Sequence, residues 1–573
     1  MNIKKIPICI LLLFALLTSG CNTKDNNDLN NTFIEGQFIA SGNGMVVSAH
    51  PESSRAGIKI LMEGGNAMDA AAAVEFALAV CYPEAGNIGG GGFMVIRKAS
   101  GEADAIDYRE KAPAAANRDM FIDSAGNVIK GLSTNSHLAC GVPGTVDGIL
   151  KVHSKYGKLP FSEVIQPAID LAEKGFPLTE LQAKSLNSNR KNFIERNRIR
   201  PAFVKDSLWK EGDTLKQPEL ANTLKLIRDY GHDGFYKGIT ARYIEDEMKR
   251  GGGLITADDL DSYSAQWRKP VTGTYRGYKI ITAPPPSGGG IILLQLLGMV
   301  ENFPVRKWGF HSDKTIHVMI EAEKRAFADR AVFLGDPDFV KIPVSGLVSK
   351  RYLKERVNNL DMTKASLPEE IKPGNPELYE SEETTHYSVV DKWGNAVAAT
   401  TTLNATFGTS IVVEGAGFLL NNQMDDFSIK PGHPNIYGLT GGEANSIEPG
   451  KRMLSSMTPA IVEKSNKLFL VLGSPGGSTI PTSVFQVILN IIDFKMNIKE
   501  AVTAGRFHNQ WMPDQTDMEK GSIDSLTTII LCNLGHKFNT RSAIGRVNAI
   551  MVDKKGIRHS GADTRGNNVA CGY

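Results

Sequence analysis

Near residue 360 the chain changes character, and this break constrains the fold more than any other feature. Before it, residues 151–260 read as mainly helical, with apolar positions at helical spacing in Phe161–Lys174, Leu178–Leu186 and Glu219–Tyr230. The segment Asp361–Glu383 is polar, rich in Glu and Pro and without period, which predicts an exposed, mobile loop. After it strands dominate. His386–Asp391 and Ala396–Leu403 flank a turn at Lys392-Trp393-Gly394-Asn395, the pattern of a hairpin, and Leu468–Leu472 is a further short apolar strand.

Glycine makes up 57 of the 573 residues, and the excess is clustered at element boundaries. Gly64-Gly65 leads to Asn66, a predicted helix cap, with Asp69 three residues on as in a capping box. The following Ala70–Val80 is apolar on nearly every side, so a buried helix is expected, stopped by Pro83. Gly86–Gly92 runs into a strand at Phe93–Arg97, and GVPGTVDG at 141–148 is a tight turn before a helix. Pro284–Gly290 precedes an apolar helix, Ile291–Val300, and Ile316–Arg330 reads as a charged amphipathic helix. Gly473–Ser478 precedes a helix with Val484, Val487, Ile488 and Ile491 on one face.

None of these clusters is a nucleotide motif. The run at 89–92 lacks the Lys-Ser/Thr of a phosphate loop and does not fit G-x-G-x-x-G with a following acid. H-E-x-x-H and G-x-S-x-G are both missing, so metal- or nucleotide-dependent chemistry is disfavoured and no cofactor is expected. Lys and Arg total 64 against 62 Asp and Glu, a net charge of +2, which gives no footprint for a dedicated nucleic-acid binder. At 42% hydrophobic and 22% charged residues the composition is that of a globular protein.

The N-terminus reads as an export signal. Lys4-Lys5, the apolar Ile6–Leu17 and Thr18-Ser19-Gly20 lead to Cys21, so residues 1–21 are expected to be a lipoprotein-type signal peptide with a lipid anchor at Cys21, although Thr18 stands where Leu is usual. Residues 22–35 are expected to form a flexible tether, placing the protein in the periplasm, outer membrane or at the cell surface. Cys81, Cys140, Cys532 and Cys571 are far apart and form no C-x-x-C pair; their pairing is not legible, and buried free thiols are the simpler expectation.

One arrangement carries a mechanism. Thr384-Thr385 stands between the polar loop and the strand His386–Asp391. A cut before Thr384 would free an α-amine on the residue whose hydroxyl attacks, and that amine, titrating near ~7.7–8.0, would serve as the base. The β-branch of Thr restricts χ1 and holds Oγ in place. On composition alone, Thr-Thr before a strand is ordinary β-forming sequence.

The block Thr384–Asp391 joined to Leu403-Asn404, Asn421–Phe427, Ser455-Ser456-Met457 and Gly473–Gly477 resembles the γ-glutamyltransferase (glutathione hydrolase) family. Pro83–Arg97, Asp107–Glu110 and the glycine turns at 141–148 and 287–290 fit the same family, so the resemblance covers residues from about 40 to 573. It implies an α+β fold, the αββα four-layer sandwich of N-terminal nucleophile hydrolases, with two central sheets between helical layers. It also implies a precursor that cuts itself between Glu383 and Thr384 into a large subunit, 36–383, and a small one, 384–573, which stay associated. Glu383 departs from the Gln common at that place.

By motif, Thr384 is the implied nucleophile, Thr402 the hydroxyl that orients it, and Gly476 and Gly477 the oxyanion donors. Arg109 matches the partner of the donor's α-carboxylate, Ser455 and Ser456 its hydroxyl donors, and Asn404, Gln423 and Asp426 the residues around the α-ammonium. Tyr437, in a lid-like loop at 431–442, matches a gating aromatic. The implied substrates are glutathione and related γ-glutamyl compounds, with water, amino acids or dipeptides as acceptors. A β-lactam side-chain acylase, a poly-γ-glutamate hydrolase, or a lipoprotein that binds γ-glutamyl compounds without turnover are the alternatives. Arg109 with Asp426 argues against the acylase, the lid against polymeric donors, and the intact Thr384, Thr402 and Gly476-Gly477 against a dead homologue.

Overall fold

A computed structural model of the chain describes residues 32–376 and 386–573. The signal peptide with Cys21, the tether up to residue 31 and the Glu383–Thr384 junction lie outside the described residues.

The Asn66 cap forms as the sequence predicts. Its side chain accepts from the N–H groups of Met68 and Asp69 at 2.8 and 3.0 Å, while the Asp69 carboxylate takes the Asn66 N–H at 2.9 Å. The helix they open, Ala67–Cys81, is buried at every residue. Phe161–Lys174 has the predicted bounds, and Glu180–Arg196 runs beyond its expected end after a Thr179–Gln182 capping box.

Two antiparallel sheets form the centre. The first has eight strands in the order Ile34–Gly36, Val569–Gly572, Met45–Ser48, His386–Val390, Ala396–Thr402, Gly91–Arg97, Ala103–Asp107 and Gln266–Arg268. The second has seven: Ala40–Ser41, Arg558–Ala562, Asn548–Val552, Lys467–Gly473, Ala460–Lys464, Tyr278–Thr282 and Val271–Tyr275. Side-chain alternation along the strands divides the core into layers. Val47, Phe93, Val95, Val390 and Ala398 meet Ile281, Ile461, Val471 and Ile550 between the sheets. Tyr387, Val389, Val397 and Ala399 face the other way, onto the helix Ala67–Cys81 and its neighbours. Ile280, Val462, Leu470 and Leu472 pack on the helices Gly289–Val300 and Ile480–Ile492. Helices, sheet, sheet and helices follow one another, which is the αββα sandwich.

Residues on both sides of the 383–384 junction share both sheets. His386–Val390 lies between Met45–Ser48 and Ala396–Thr402, and Val569–Gly572 lies between Ile34–Gly36 and Met45–Ser48. The predicted hairpin forms, and its register sets His386 opposite Thr400.

Two expectations need correction. The helix at 316–330 extends from Asp313 to Phe333, and its charged residues do not form a solvated face: Glu321, Glu323, Lys324, Arg325, Asp329 and Arg330 are all buried. Partners make this burial tolerable, one within the helix, Arg325–Glu321 at 2.6 Å, and two from other segments, Arg356–Asp329 at 3.0 Å and Lys324–Asp514 at 3.2 Å. The described part of the polar loop, residues 361–376, is irregular as expected but is tied to that helix and to the C-terminal part. The Ser366 N–H donates to Glu321 (3.1 Å), Gly374 N–H to Asp329 (2.9 Å) and Ala365 N–H to the Leu534 carbonyl (2.7 Å). Cys81, Cys140 and Cys571 are buried free thiols, and Cys532 is an exposed one.

Candidate active site

Thr402 closes its strand opposite Gly91. A Cβ on Gly90 would stand 2.0 Å from the Thr402 carbonyl oxygen, so only glycine lets the 86–92 turn reach this strand end. The Asn87 Nδ2 group donates to the same carbonyl at 2.8 Å. Thr402 Oγ1 accepts the N–H of Asn404 at 2.8 Å, with Asn404 held at φ 74°. His386, two residues beyond Thr384 in sequence, is fully buried; its ring nitrogens lie 3.1 Å from Thr400 Oγ1 and 2.9 Å from Ser388 Oγ. Burial pushes its pKa down to about 3, so the ring is neutral at working pH. The Asn548 Nδ2 group donates to the His386 carbonyl at 3.0 Å and fixes the start of the described strand.

The chain leaves the second sheet at Gly473 and turns through Gly476 and Gly477, at φ 137° and 58°, into a short 3₁₀ turn and the helix Ile480–Ile492. Among the described residues the N–H groups of Gly476 and Gly477 donate to no protein acceptor, so both remain available to an incoming oxygen. A pair of backbone donors before a helix is suited to a developing negative charge.

A charged cluster is held by the segments around residues 109, 423 and 453. Arg109 is fully buried; its Nη2 donates to Asp426 Oδ2 at 2.5 Å and to the Leu454 carbonyl at 3.2 Å, and its Nε to the Met453 carbonyl at 3.2 Å. Gln423 Nε2 donates to the same Asp426 oxygen at 2.7 Å. Ser455 and Ser456 follow directly, both with no exposure, where a bridge joins Ser455 to Ser287 and the Gly288 N–H donates to the Ser455 carbonyl at 3.0 Å. Among the described residues, five buried polar atoms here have no hydrogen-bond partner: Gln423 Oε1, Asn404 Oδ1, Ser456 Oγ and both carboxylate oxygens of Glu110. Buried polar groups left unpaired are costly, so each is able to receive a polar group of a ligand.

Tyr437 ties these parts together. A Cβ on Gly477 would stand 2.7 Å from the Tyr437 ring, the phenol donates to the Asn404 carbonyl at 2.7 Å, and the Tyr437 carbonyl accepts from Gln510 Nε2 at 3.1 Å. The structure thus brings Thr402, Asn404, Gly476, Gly477 and Tyr437 into one connected group, and Arg109, Gln423, Asp426, Ser455 and Ser456 into another that meets it at Asn404 and Asn422. Glu383 and Thr384 are outside the described residues.

Two residues that sequence reasoning did not single out belong here. Glu110 is fully buried, with Oε2 at 3.5 Å from Arg109 Nη1 and a hypothetical Cβ on Gly91 2.6 Å from it. Burial raises its carboxyl pKa to about 7 against the pull of Arg109, with Asp426 and Asp107 adding to the rise. Its sequence signal is its place next to Arg109 in the Asp107–Glu110 segment, which by itself assigns it no role. Asn435 donates from Nδ2 to Asp426 Oδ1 at 3.3 Å and accepts the N–H groups of Tyr437 and Leu439 at 3.0 and 3.1 Å, coupling the 431–442 loop to the charged cluster. Among the described residues, no group of three or more His, Cys, Asp or Glu side chains is placed to hold a metal ion.

Comparisons with known proteins identify the family. The family model described as "Gamma-glutamyltranspeptidase" matches residues 53–573. The chain is 49% identical over 543 residues to the glutathione hydrolase proenzyme of Escherichia coli (strain K12), covering 93% of each. Among solved structures it resembles cephalosporin acylase from Bacillus halodurans, with a TM-score of 0.81 and 26% identity over 97% of this chain and 99% of that one. It also resembles the γ-glutamyltranspeptidase of Helicobacter pylori, where a solved chain at 47% identity and a TM-score of 0.57 covers 59% of this chain and 97% of itself.

Proposed function

The chain belongs to the γ-glutamyltranspeptidase family, and we infer from this that it is a self-processing proenzyme that moves the γ-glutamyl group of glutathione-like donors to water or to amino acid and peptide acceptors. It is an N-terminal nucleophile hydrolase, a γ-glutamyltransferase and glutathione hydrolase.

The observation that carries the site assignment is the fully buried Arg109–Asp426 pair beside unpartnered polar atoms. A lone hydrophobic acyl group needs neither charge. A γ-glutamyl group ends in an α-carboxylate and an α-ammonium, and it exchanges one protein–protein contact for two charge-matched ones. In our reading Arg109, Ser455 and Ser456 take the carboxylate, while Asp426, Gln423 and Asn404 take the three ammonium hydrogens. The likeness to the cephalosporin acylase then is one of fold.

The chemistry follows from the junction. The cut falls between Glu383 and Thr384 and yields subunits 36–383 and 384–573. The shared sheets support this division, because their ladders hold both pieces without the peptide bond. The H. pylori chain, matching 59% of this one, is of the size expected for a separate large subunit. Thr384 Oγ attacks the γ-carbonyl carbon of the donor, its own α-amine accepts the proton, and Thr402 orients the hydroxyl. The oxyanion is held by the N–H groups of Gly476 and Gly477, each worth ~10²–10³ in rate. The amine of the leaving group takes the proton as the C–N bond breaks, and the resulting γ-glutamyl ester is opened by water or by an acceptor amine. Tyr437 covers the ester until the acceptor arrives. Upstream, residues 1–21 direct export, Cys21 carries a lipid, and the tether expected over 22–35 ends earlier, where Ile34–Gly36 joins the sheet.

The purified wild-type protein should give two bands on denaturing electrophoresis, the smaller beginning Thr-Thr-His-Tyr. Thr384→Ala should stay one chain and release no chromophore from γ-glutamyl-p-nitroanilide. An active protein with an unbroken chain at 383–384 would refute the mechanism. Radiolabelled palmitate incorporated by wild type and not by Cys21→Ala tests the anchor.

A further inference from the structure

Tyr437 and Gly476 also border a second space. A cavity of about 310 Å³ adjoins them, within the range of small-ligand sites. Much of its remaining wall comes from a three-stranded sheet: His508 from Phe507–Asn509, Asp517 from Thr516–Glu519 and Arg541 from Phe538–Arg541. His508 is buried and its pKa is lowered to about 4, so it brings no charge at neutral pH, and Arg541 is the cavity's one cation among the described residues. Arg541 Nη1 donates to Asp517 Oδ2 at 3.1 Å, and no other partner of this guanidinium is found among the described residues. Asp517 is more fully engaged, its other oxygen accepting from Asn539 Nδ2 at 2.8 Å and Gln515 Nε2 at 3.2 Å. Asp517 therefore sets the direction of Arg541, and Arg541 keeps most of its five N–H donors for an incoming planar anion.

We propose that this cavity is the subsite for the acceptor and for the donor's leaving group, and that Arg541 receives there the free carboxylate of an amino acid or short peptide. The proposal rests on the γ-glutamyl-transfer reading and deepens it. In the transfer step the acceptor's neutral amine attacks the ester carbonyl carbon. A C–N bond forms, the C–O bond to Thr384 breaks, and the proton shed by the amine returns to Thr384 Oγ through the α-amine. Acceptor and leaving group must therefore occupy the same side of that carbon, next to the Gly476–Gly477 turn and away from Arg109 and Asp426. The cavity is bordered by Gly476 and Tyr437, and its Arg541 guanidinium, held by Asp517 with donors to spare, matches the C-terminal carboxylate that a glutathione-like leaving group and a peptide acceptor have in common.

The test measures, with the cleaved enzyme and γ-glutamyl-p-nitroanilide as donor, the ratio of kcat/KM for glycylglycine to that for glycylglycinamide. Both values come from one enzyme preparation, so a loss of folded protein cancels. Wild type should favour the free carboxylate, Arg541→Gln should reduce that preference about tenfold or more, and Arg541→Lys should retain part of it. Asp517→Asn should lower it less, since the guanidinium keeps its charge. A ratio in Arg541→Gln equal to that of wild type, or no preference in wild type, overturns the proposal while leaving γ-glutamyl transfer intact. A cleaved wild-type protein that releases no p-nitroaniline even to water overturns both.

Discussion

Two arginine–aspartate pairs flank Tyr437, and they differ in nearly everything but composition. Arg109 and Asp426 lie 2.5 Å apart with side-chain exposures of 0% and 2%, and their neighbours are backbone carbonyls, Gln423 and Asn435. Arg541 and Asp517 lie 3.1 Å apart with exposures of 43% and 24%, Arg541 on an edge strand and Asp517 on the central strand of a small three-stranded sheet. A buried pair is unforgiving, since either charge left alone costs several kcal/mol, and it enforces one ligand geometry. An exposed pair is worth little by itself and tolerates many partners. On the proposed assignments, the contrast predicts tight selection at the γ-glutamyl end and looser selection at the acceptor.

The sharpest way to break the contrast is Arg109→Gln. It strands the Asp426 carboxylate, lowering fold stability by about 3–5 kcal/mol in thermal or denaturant melts, and it removes the charge that meets the donor's carboxylate, a binding loss of about 2–5 kcal/mol. At ~1.36 kcal/mol per tenfold, kcat/KM for γ-glutamyl-p-nitroanilide should fall by about one and a half to nearly four powers of ten. Tyr437→Phe removes one hydrogen bond between the two regions, to the Asn404 carbonyl. A net loss of ~0.5–1.5 kcal/mol should lower the ratio of transfer to hydrolysis about two- to tenfold, read from product ratios at fixed acceptor.

Glu110 gives the buried region a pH signature. Its pKa is raised to about 7, so it is neutral below that pH and leaves Arg109 to the donor; above it a second carboxylate competes for the guanidinium. Donor KM should therefore rise as pH climbs through about 7, and Glu110→Gln should abolish the rise. The stability sign runs the same way. The folded state holds this proton more tightly than the unfolded chain, so the contribution is full below pH 4.5 and is lost as pH rises to about 7. Thermal melts of Glu110→Gln should decline less between pH 5 and 7.5. The smallest effect concerns salt. Between roughly 0.05 and 0.5 M NaCl the KM of carboxylate acceptors should rise about twofold, whereas donor KM should stay level, because screening acts on exposed charges.

Sequence reading was strongest where chemistry is local. The Asn66–Asp69 cap, the helix Phe161–Lys174 and the hairpin around Gly394 depend on neighbours in the chain, and each forms as read. The helix read at 316–330 forms within Asp313–Phe333, but a charge pattern reports polarity and not burial; the partners that allow Lys324 and Asp329 inside, Asp514 and Arg356, lie outside the helix. The same divide runs through the site. Arg109, Asp426 and Ser455-Ser456 were legible through long motifs matched in order. Asn435 was not, since its importance arises only when the 431–442 loop folds back on Asp426. Arg541 belongs to no motif at all and is picked out only by the cavity it faces.

The order of strands in the larger sheet has a consequence for timing. Val569–Gly572 is hydrogen-bonded on one side to Ile34–Gly36 and on the other to Met45–Ser48, segments translated more than 500 residues earlier. Contacts of such sequence separation are slow to form, and here the ribosome delays them further. The sheet that carries His386 is therefore completed only after the last residues of the chain have been made.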